Sequence, residues 1–404
     1  MVAPASWRQT PKGEVAVAKI ASVEVHEFQY PIVDASFDAH RNAIYAPGET
    51  LRSTRFAVVI ETVDGARGEY VPLWSAPSVA LTQTYAMAPF LIGQDAHFRE
   101  LIYDICKRAM RKTDHIGYGA LDIALWDLAG KEFGVSVATL LGQYRTRLPT
   151  YASTLQGDPN GSLGSPEAFA DFAQQCYELG FRAYKIHQHS DDVQEEARTL
   201  LEVRKRVGDT MTLMSDPSCE LHTFAEAIYL GRACDEANYF WYEDPYSDSG
   251  VSAYAHRKLK EFVKTPLLIT EHVRGVEPKA DFLIAGGTDF LRADPELDLG
   301  ITGTMKIARI AEAFGVDVEL HGAGPAHRQC IAAIRNTNYY ELCLVHPILG
   351  NPLIPKVYAD GYSDDLDAVS ADGTFPVPDG PGLGVTYDWD WIKHHTVNVR
   401  RFGA

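Results

Sequence analysis

From residue 148 onward the chain repeats one unit, a short apolar segment that ends in a polar residue and is followed by an amphipathic stretch. The candidate strands are 149–154 (PTYAST), 182–187 (RAYKIH), 211–216 (MTLMSD), 239–243 (YFWYE), 266–271 (PLLITE), 289–294 (DFLRAD), 316–321 (VDVELH) and 338–342 (NYYEL). They recur at roughly 25–30 residues, the pitch needed when each strand is followed by a crossover helix to a parallel neighbour. Segments 194–207 (QEEARTLLEVRKRV) and 304–314 (TMKIARIAEAF) have the apolar spacing of such helices. Eight such units in one run predict a closed parallel barrel rather than an open sheet.

The residues before this run have another rhythm. Segments 18–32 and 54–72 are rich in β-branched and aromatic residues, and Asp64-Gly65 supplies a turn, so they read as antiparallel strands. The polar, Gly- and Pro-containing stretch Val33 to Ser53 reads as a loop between them. Helices are expected at 79–93, 97–111 and 117–134, the last with Leu121, Leu125, Leu128 and Ala129 at helical spacing. The expected organisation is an extension at 1–17, an α+β capping domain at 18–145, the barrel at 146–349, and a segment at 350–404. That last segment is rich in Gly, Pro and Asp, carries Tyr387, Trp389 and Trp391, and is expected to return to the capping domain.

In a parallel barrel the chemistry gathers at the C-terminal ends of the strands. Strand two of the barrel ends in Lys185 and His187, strand three in Asp216, strand four in Glu243 and strand five in Glu271. Strand six ends in Asp294, strand seven in His321, and strand eight carries Glu341. Each acid taken singly could be a helix N-cap or an exposed residue. Three carboxylates on consecutive strands cost several kcal/mol each to bury unless a cation compensates. Asp216, Glu243 and Glu271 are oxygen ligands suited to a hard cation such as Mg²⁺. Lys185 and His187 are two apart, so a strand presents both on one face, the barrel interior. A Lys there beside a cation is expected to have a depressed pKa, as a general base requires. Asp294 and His321 lie on neighbouring strands, where a carboxylate can fix the imidazole tautomer and leave the other nitrogen for proton transfer. His189, His272, His327 and His346 read as ordinary histidines, with His189 and His272 near enough to the rim to touch a substrate.

Composition narrows the partners. The 404 residues carry a formal net charge of −17, which disfavours nucleic acid and anionic membranes. The six cysteines form no C-x-x-C pair and read as buried free thiols, which favours a reducing compartment. Residues 1–16 lack the apolar core of a secretory signal, no run reaches membrane-spanning length, and a cytoplasmic protein is expected.

The series Lys-x-His, Asp, Glu, Glu, Asp, His, Glu at successive strand ends resembles the mandelate racemase subgroup of the enolase superfamily. The helix GYGALDIALWDLAGKEFGVSVATLLG and the PGLGV segment resemble that family too, and the likeness spans nearly all of 18–392. The resemblance implies an α/β fold, a (β/α)₇β TIM-like barrel with an N-terminal α+β capping domain. It implies that Asp216, Glu243 and Glu271 bind Mg²⁺, that Lys185 is the base on one face of the substrate, and that Asp294 and His321 form a dyad on the other. Glu341 would bond the substrate carboxylate as a neutral acid. One departure is His187, where the subgroup commonly has a second Lys or Arg; this opens the division of labour between Lys185 and His187.

The expected substrate is a small carboxylate with α- and β-hydroxyls, and the expected partners are this small molecule and further copies of the chain, as a dimer or octamer. Dehydration of an acid sugar to a 2-keto-3-deoxy acid is the first reading. Racemisation or epimerisation, and cycloisomerisation of a sugar-acid lactone, use the same parts. His40, Arg41 and Tyr45, in the stretch before the second strand, are expected to reach the substrate over the barrel mouth, with His272 at the rim. Two rivals stand beside this. A zinc hydrolase of the amidohydrolase type could use His187 and His189 as an H-x-H pair with His272, His321 and Asp294, but leaves three carboxylates unexplained. A non-catalytic barrel would not need this full set of acids and bases.

Overall fold

The computed structural model of the protein describes residues 18–38, 42–75, 77–187 and 189–403. His40 and Arg41 lie outside the described residues, as does the 1–17 extension. The chain opens with β1 (Ile20–Phe37), β2 (Ala43–Thr62) and β3 (Arg67–Tyr70), followed by α1 (Pro77–Leu91), α2 (Arg99–Ala109), α3 (Tyr118–Phe133) and α4 (Val137–Leu141). Most of the stretch expected as a loop at 33–53 is strand. β1 and β2 form one long hairpin whose pairing continues through Ala35↔Tyr45, Ser36↔Ile44 and Phe37↔Ala43. The physical reason is a bulge. The register slips between Val33 and Ala35, Asp34 takes a left-handed backbone (φ 57°), and its Oδ1 accepts the Gly48 N–H at 2.8 Å. A bulge absorbs the polar and glycine residues that look like a loop in sequence.

The barrel strands are β4 (Arg147–Thr154), β5 (Ala183–His187), β6 (Thr212–Asp216), β7 (Trp241–Glu243), β8 (Leu267–Ile269), β9 (Phe290–Ala293), β10 (Val318–Leu320) and β11 (Tyr340–Val345). Between them run α5 (Pro166–Leu179), α6 (Val193–Val207), α7 (Phe224–Glu236), α8 (Ala253–Leu259), α9 (Val276–Ile284), α10 (Gly300–Phe314) and α11 (Pro325–Ala333). The parallel ladder runs β10-β9-β8-β7-β6-β5-β4-β11. The sheet curls into a barrel, but its two end strands meet through side chains rather than a ladder. Glu319 takes the backbone N–H groups of Asn338 (2.9 Å) and Tyr339 (3.2 Å), and Glu341 takes that of Gly322 (2.8 Å). After β12 (Thr374–Pro376), which pairs with β4, α12 (Trp389–His395) leads into β13 (Thr396–Gly403), which pairs antiparallel with β1 and extends the N-terminal sheet.

Period-two alternation sorts the barrel interior into two layers. Tyr151, Ala183, Met214, Trp241 and Leu268 form a buried apolar plug, with Phe290 and Tyr339 packed on it. Two residues further along the same strands come Lys185, Asp216, Glu243, Arg292 and Glu341, all buried. The capping domain is pinned above this polar layer by Glu296, which follows β9. Its carboxylate accepts the Tyr70 hydroxyl (2.7 Å) and the backbone N–H groups of Leu73 (2.8 Å), Trp74 (2.6 Å) and Ser75 (2.9 Å). Trp74 then stands over the barrel mouth, its indole edge-on to His321 at 6.2 Å and its Nε1 donating to Ala323 O at 2.6 Å. Among the described residues, no helix is long and apolar enough to cross a membrane.

Candidate active site

A cavity of about 230 Å³ opens at the C-terminal ends of the barrel strands. His187, Asp216, Asp244, Glu271, His272, His321 and Glu341 line it, with Asn42 from the capping hairpin and Gln156 from the end of β4. Of the residues singled out in the sequence, Tyr45 is elsewhere. Its ring lies 5.7 Å from His346 and its carbonyl accepts from Asn160, so it braces a rim loop instead of facing the cavity. His189 is tied to Thr199 Oγ1 (2.7 Å) with its pKa lowered to about 4 by burial, and His346 to Asp158 (3.2 Å); both are structural.

Lys185 departs from expectation. It is 1% exposed and bonded to three carboxylates, Asp216 (2.9 Å), Glu243 (3.0 Å) and Glu341 (2.9 Å). Burial alone would lower its pKa, but these three anions hold it well above the ordinary value. It lies below the cavity as a cation held by these carboxylates, two of which, Asp216 and Glu243, belong to the expected metal set. The group that faces the cavity on this side is His187. Its Nδ1 lies 2.6 Å from the Thr154 carbonyl, which can only accept, so Nδ1 carries the proton. Nε2 is left toward the cavity, 3.1 Å from Asp216 Oδ2.

Glu341 departs as well. Burial would push its pKa up, yet Arg292 and Lys185 hold it well below the usual carboxylate range. Arg292 was not singled out in the sequence. It is fully buried, reaching Glu341 Oε2 (2.7 Å) and Glu243 Oε1 (2.8 Å), with Tyr151 OH at 3.2 Å. The signal for it was present, since Phe290, Arg292 and Asp294 alternate along one strand face and the last of them was read as inward. Glu341 is therefore an ionised anchor, not a neutral acid.

Across the cavity, His321 Nδ1 bonds Asp294 Oδ2 at 2.7 Å. The other Asp294 oxygen accepts the Glu296 N–H at 2.6 Å, and His327 Nε2 lies 3.3 Å from it. Burial opposes charge on His321, but Glu271 (3.6 Å from Nε2) and Asp294 raise its pKa to about 9. Its imidazolium therefore adds stability that is complete below its unfolded value of about 6.5 and is lost as pH rises through about 9. Wild-type protein should lose stability across that interval more steeply than His321→Asn, read as Tm against pH.

The carboxylates outnumber the cations. Among the described residues, Asp216, Glu243, Asp244, Glu271 and Glu341 have only Lys185 and Arg292 beside them as permanent positive groups. Asp216 and Glu271 line the cavity, while Glu243 sits one layer lower, also taking the Trp241 indole N–H at 3.1 Å. An all-oxygen set with excess negative charge fits a hard divalent cation, with Asp216, Glu243 and Glu271 as the residues to hold it.

The model of the mandelate racemase/muconate lactonizing enzyme N-terminal domain matches residues 41–142, and that of the enolase C-terminal domain-like family matches 168–391. The chain is 30% identical over 388 residues to D-galactarolactone cycloisomerase of Agrobacterium fabrum, covering 92% of this chain and 97% of the relative. It is 28% identical over 297 residues to D-gluconate/D-galactonate dehydratase of Picrophilus torridus, covering 70% and 71%. The crystal structure of D-glucarate dehydratase from Agrobacterium tumefaciens complexed with magnesium superposes with a TM-score of 0.84 at 28% identity, covering 95% of this chain and all of that one.

Proposed function

Since the chain belongs to the mandelate racemase/muconate lactonizing enzyme family of the enolase superfamily, we propose that it is a Mg²⁺-dependent dehydratase of an acid sugar. The observation that carries this reading is the pairing of two unlike histidines across one cavity. His187, with Nδ1 against the Thr154 carbonyl, turns Nε2 toward the cavity beside Asp216, and His321 is held protonated by Asp294 and Glu271. A base on one face and an acid on the other suit removal of an α-proton and departure of a β-hydroxyl as water. Bound at Asp216, Glu243 and Glu271, Mg²⁺ would supply Lewis-acid stabilisation of the charge that develops on the substrate carboxylate.

His187 Nε2 takes the α-proton, with the Thr154 carbonyl fixing its tautomer. His321 gives its Nε2 proton to the leaving hydroxyl, and Asp294 steadies the imidazolium before that transfer. Lys185 and Arg292 keep Glu341 ionised and hold Glu243 in place, while burial lifts the Glu243 carboxyl to about 7. Assigning the base to His187 changes the role first expected of Lys185. The check is α-proton exchange in D₂O, which His187→Gln should lower by about 10²–10⁴-fold.

A second cavity of about 540 Å³ shares Asn42, Gln156 and Leu344 with the catalytic one and is lined by Arg52 and Arg55. Arg55 donates through Nη1 to Thr54 O (2.9 Å) and Nη2 to Leu353 O (3.2 Å), and among the described residues its buried Nε has no hydrogen-bond partner. This supports a substrate long enough to place a second carboxylate beneath the capping hairpin. Arg52→Ala is expected to raise KM for six-carbon diacids by about tenfold, the cost of one charge-assisted bond, and to leave monoacids unaffected.

The relation to the lactone cycloisomerase favours a second reading, in which the same base and acid isomerise a sugar-acid lactone. The deciding experiment offers mono- and diacid sugars and their lactones with Mg²⁺ and follows products by NMR. A 2-keto-3-deoxy acid that disappears with EDTA supports the dehydratase. Turnover of lactones alone selects the cycloisomerase, and epimers without keto acid select 1,1-proton transfer.

A further inference from the structure

Beyond the strand ends that carry Asp216, Glu243 and Glu271, the same three connections bring a second set of ligating groups together. Cys219 lies three residues after Asp216, Asp244 directly after Glu243, and His272 directly after Glu271. Their donor atoms, one sulfur, one carboxylate oxygen and one ring nitrogen, all fall within 4.8 Å of one another. The backbone ties the loops at this point, with Cys219 N–H donating to Asp244 O at 2.8 Å and Leu221 N–H to Pro245 O at 3.1 Å.

Asp244 is the observation that points to a ligand. Its side chain is 2% exposed, and among the described residues neither carboxylate oxygen has a hydrogen-bond partner. His272 Nε2 lies 3.8 Å from its Oδ2. A buried carboxylate without donors costs several kcal/mol, so such groups are paired, protonated or bound to a cation. No lysine or arginine forms an ion pair with it among the described residues. The space beside it is kept open by Gly250, where a Cβ would stand 2.6 Å from Asp244 Oδ1.

The geometry points to a second divalent-cation site, formed by Cys219 Sγ, the Asp244 carboxylate and His272 Nε2, that selects a thiophilic ion of the Zn²⁺ class. Bond lengths of about 2.0–2.3 Å in a tetrahedral site place donors roughly 3.3–3.8 Å apart, about an ångström closer than the outer limit here. The thiol proton leaves to solvent as the sulfur–metal bond forms, and the fourth position stays open. This site is distinct from the oxygen-only set because a thiolate and an imidazole favour Zn²⁺ over Mg²⁺. Bound there, the ion links the loops after β6, β7 and β8 at the rim of the catalytic cavity.

The test uses the full-length protein in excess Mg²⁺, which fills the oxygen site, and Co²⁺ as the probe. One equivalent of Co²⁺ is expected to give a near-ultraviolet thiolate-to-cobalt charge-transfer band and intense tetrahedral visible bands. Cys219→Ser should abolish the charge-transfer band, and His272→Ala should weaken Co²⁺ binding by at least ~10-fold, a loss that even outer-shell changes can produce. Asp216→Asn, which impairs the proposed Mg²⁺ set, should leave the charge-transfer band in place, so the two readings fail separately. A wild-type spectrum without that band, or a band that persists in folded Cys219→Ser, overturns the site. Should Cys219→Ser not fold, unchanged Co²⁺ affinity in His272→Ala overturns it equally.

Discussion

His321→Asn is expected to lower kcat by about 10²–10⁴-fold, the range that a positioned acid or base contributes, while the protein stays folded. His321 is 19% exposed on its side chain, enough to meet a substrate, and asparagine fills nearly the same space at the Asp294 contact. An amide can still donate to Asp294 but cannot deliver a proton at neutral pH. Asp294 keeps its bond from the Glu296 N–H and its neighbour His327, so the carboxylate is not stranded. KM should change far less than kcat, because the lost interaction belongs to the transition state. Separate measurement of kcat and KM, with Tm as the fold control, checks this. A kcat within a factor of a few of wild type would remove His321 from proton transfer.

Arg292→Met is expected to cost about 3–5 kcal/mol of stability, the penalty for breaking a buried ion pair from one side. The methionine fills much of the volume but removes the guanidinium from Glu243 Oε1 and Glu341 Oε2 in a fully buried layer, with Glu341 Oε2 keeping the Gly322 N–H. The loss should depend on pH in a defined direction. Glu341 is held well below its ordinary pKa, so its contribution in wild type is present above the unfolded value of about 4.3. That contribution is lost as pH falls through the folded value. The gap between wild type and variant should therefore be widest near neutral pH and narrow in acid. Added Mg²⁺ should recover part of the loss by supplying charge near Glu243. Urea unfolding at two pH values, with and without Mg²⁺, measures both effects. A gap that does not change with pH would show that packing, not charge, accounts for the cost.

The alternation of short apolar strands and amphipathic helices was enough to read the α/β barrel and the capping domain, because period two, helical spacing and pitch are local properties of the chain. Reading the last polar residue of each strand also named His187, Asp216, Glu271, His321 and Glu341, which the structure places around one cavity. Position along a strand carries that information, since every inward residue at that level must share the same small space. Partnership is a different quantity. Lys185 is bound by Asp216, Glu243 and Glu341, groups 31, 58 and 156 residues away in the chain, and only the closure of the barrel reveals that they enclose it. The same closure makes Glu341 an ionised partner of Arg292 and leaves His187 as the nitrogen that faces the cavity.

The hairpin at 33–53 shows the limit from the other side. Its polar and glycine residues have the composition of a loop, and the register that turns them into strand comes from pairing across β1 and β2 at the Asp34 bulge. Sequence by itself determined the strand–helix alternation of the barrel and several of the side chains at its functional end, because those follow from short-range periodicity. Only the tertiary structure decided which of them are held charged, which are sequestered, and that Asp244 stands buried with no donor among the described residues. Those outcomes depend on desolvation and on charges brought within a few ångströms from distant parts of the chain.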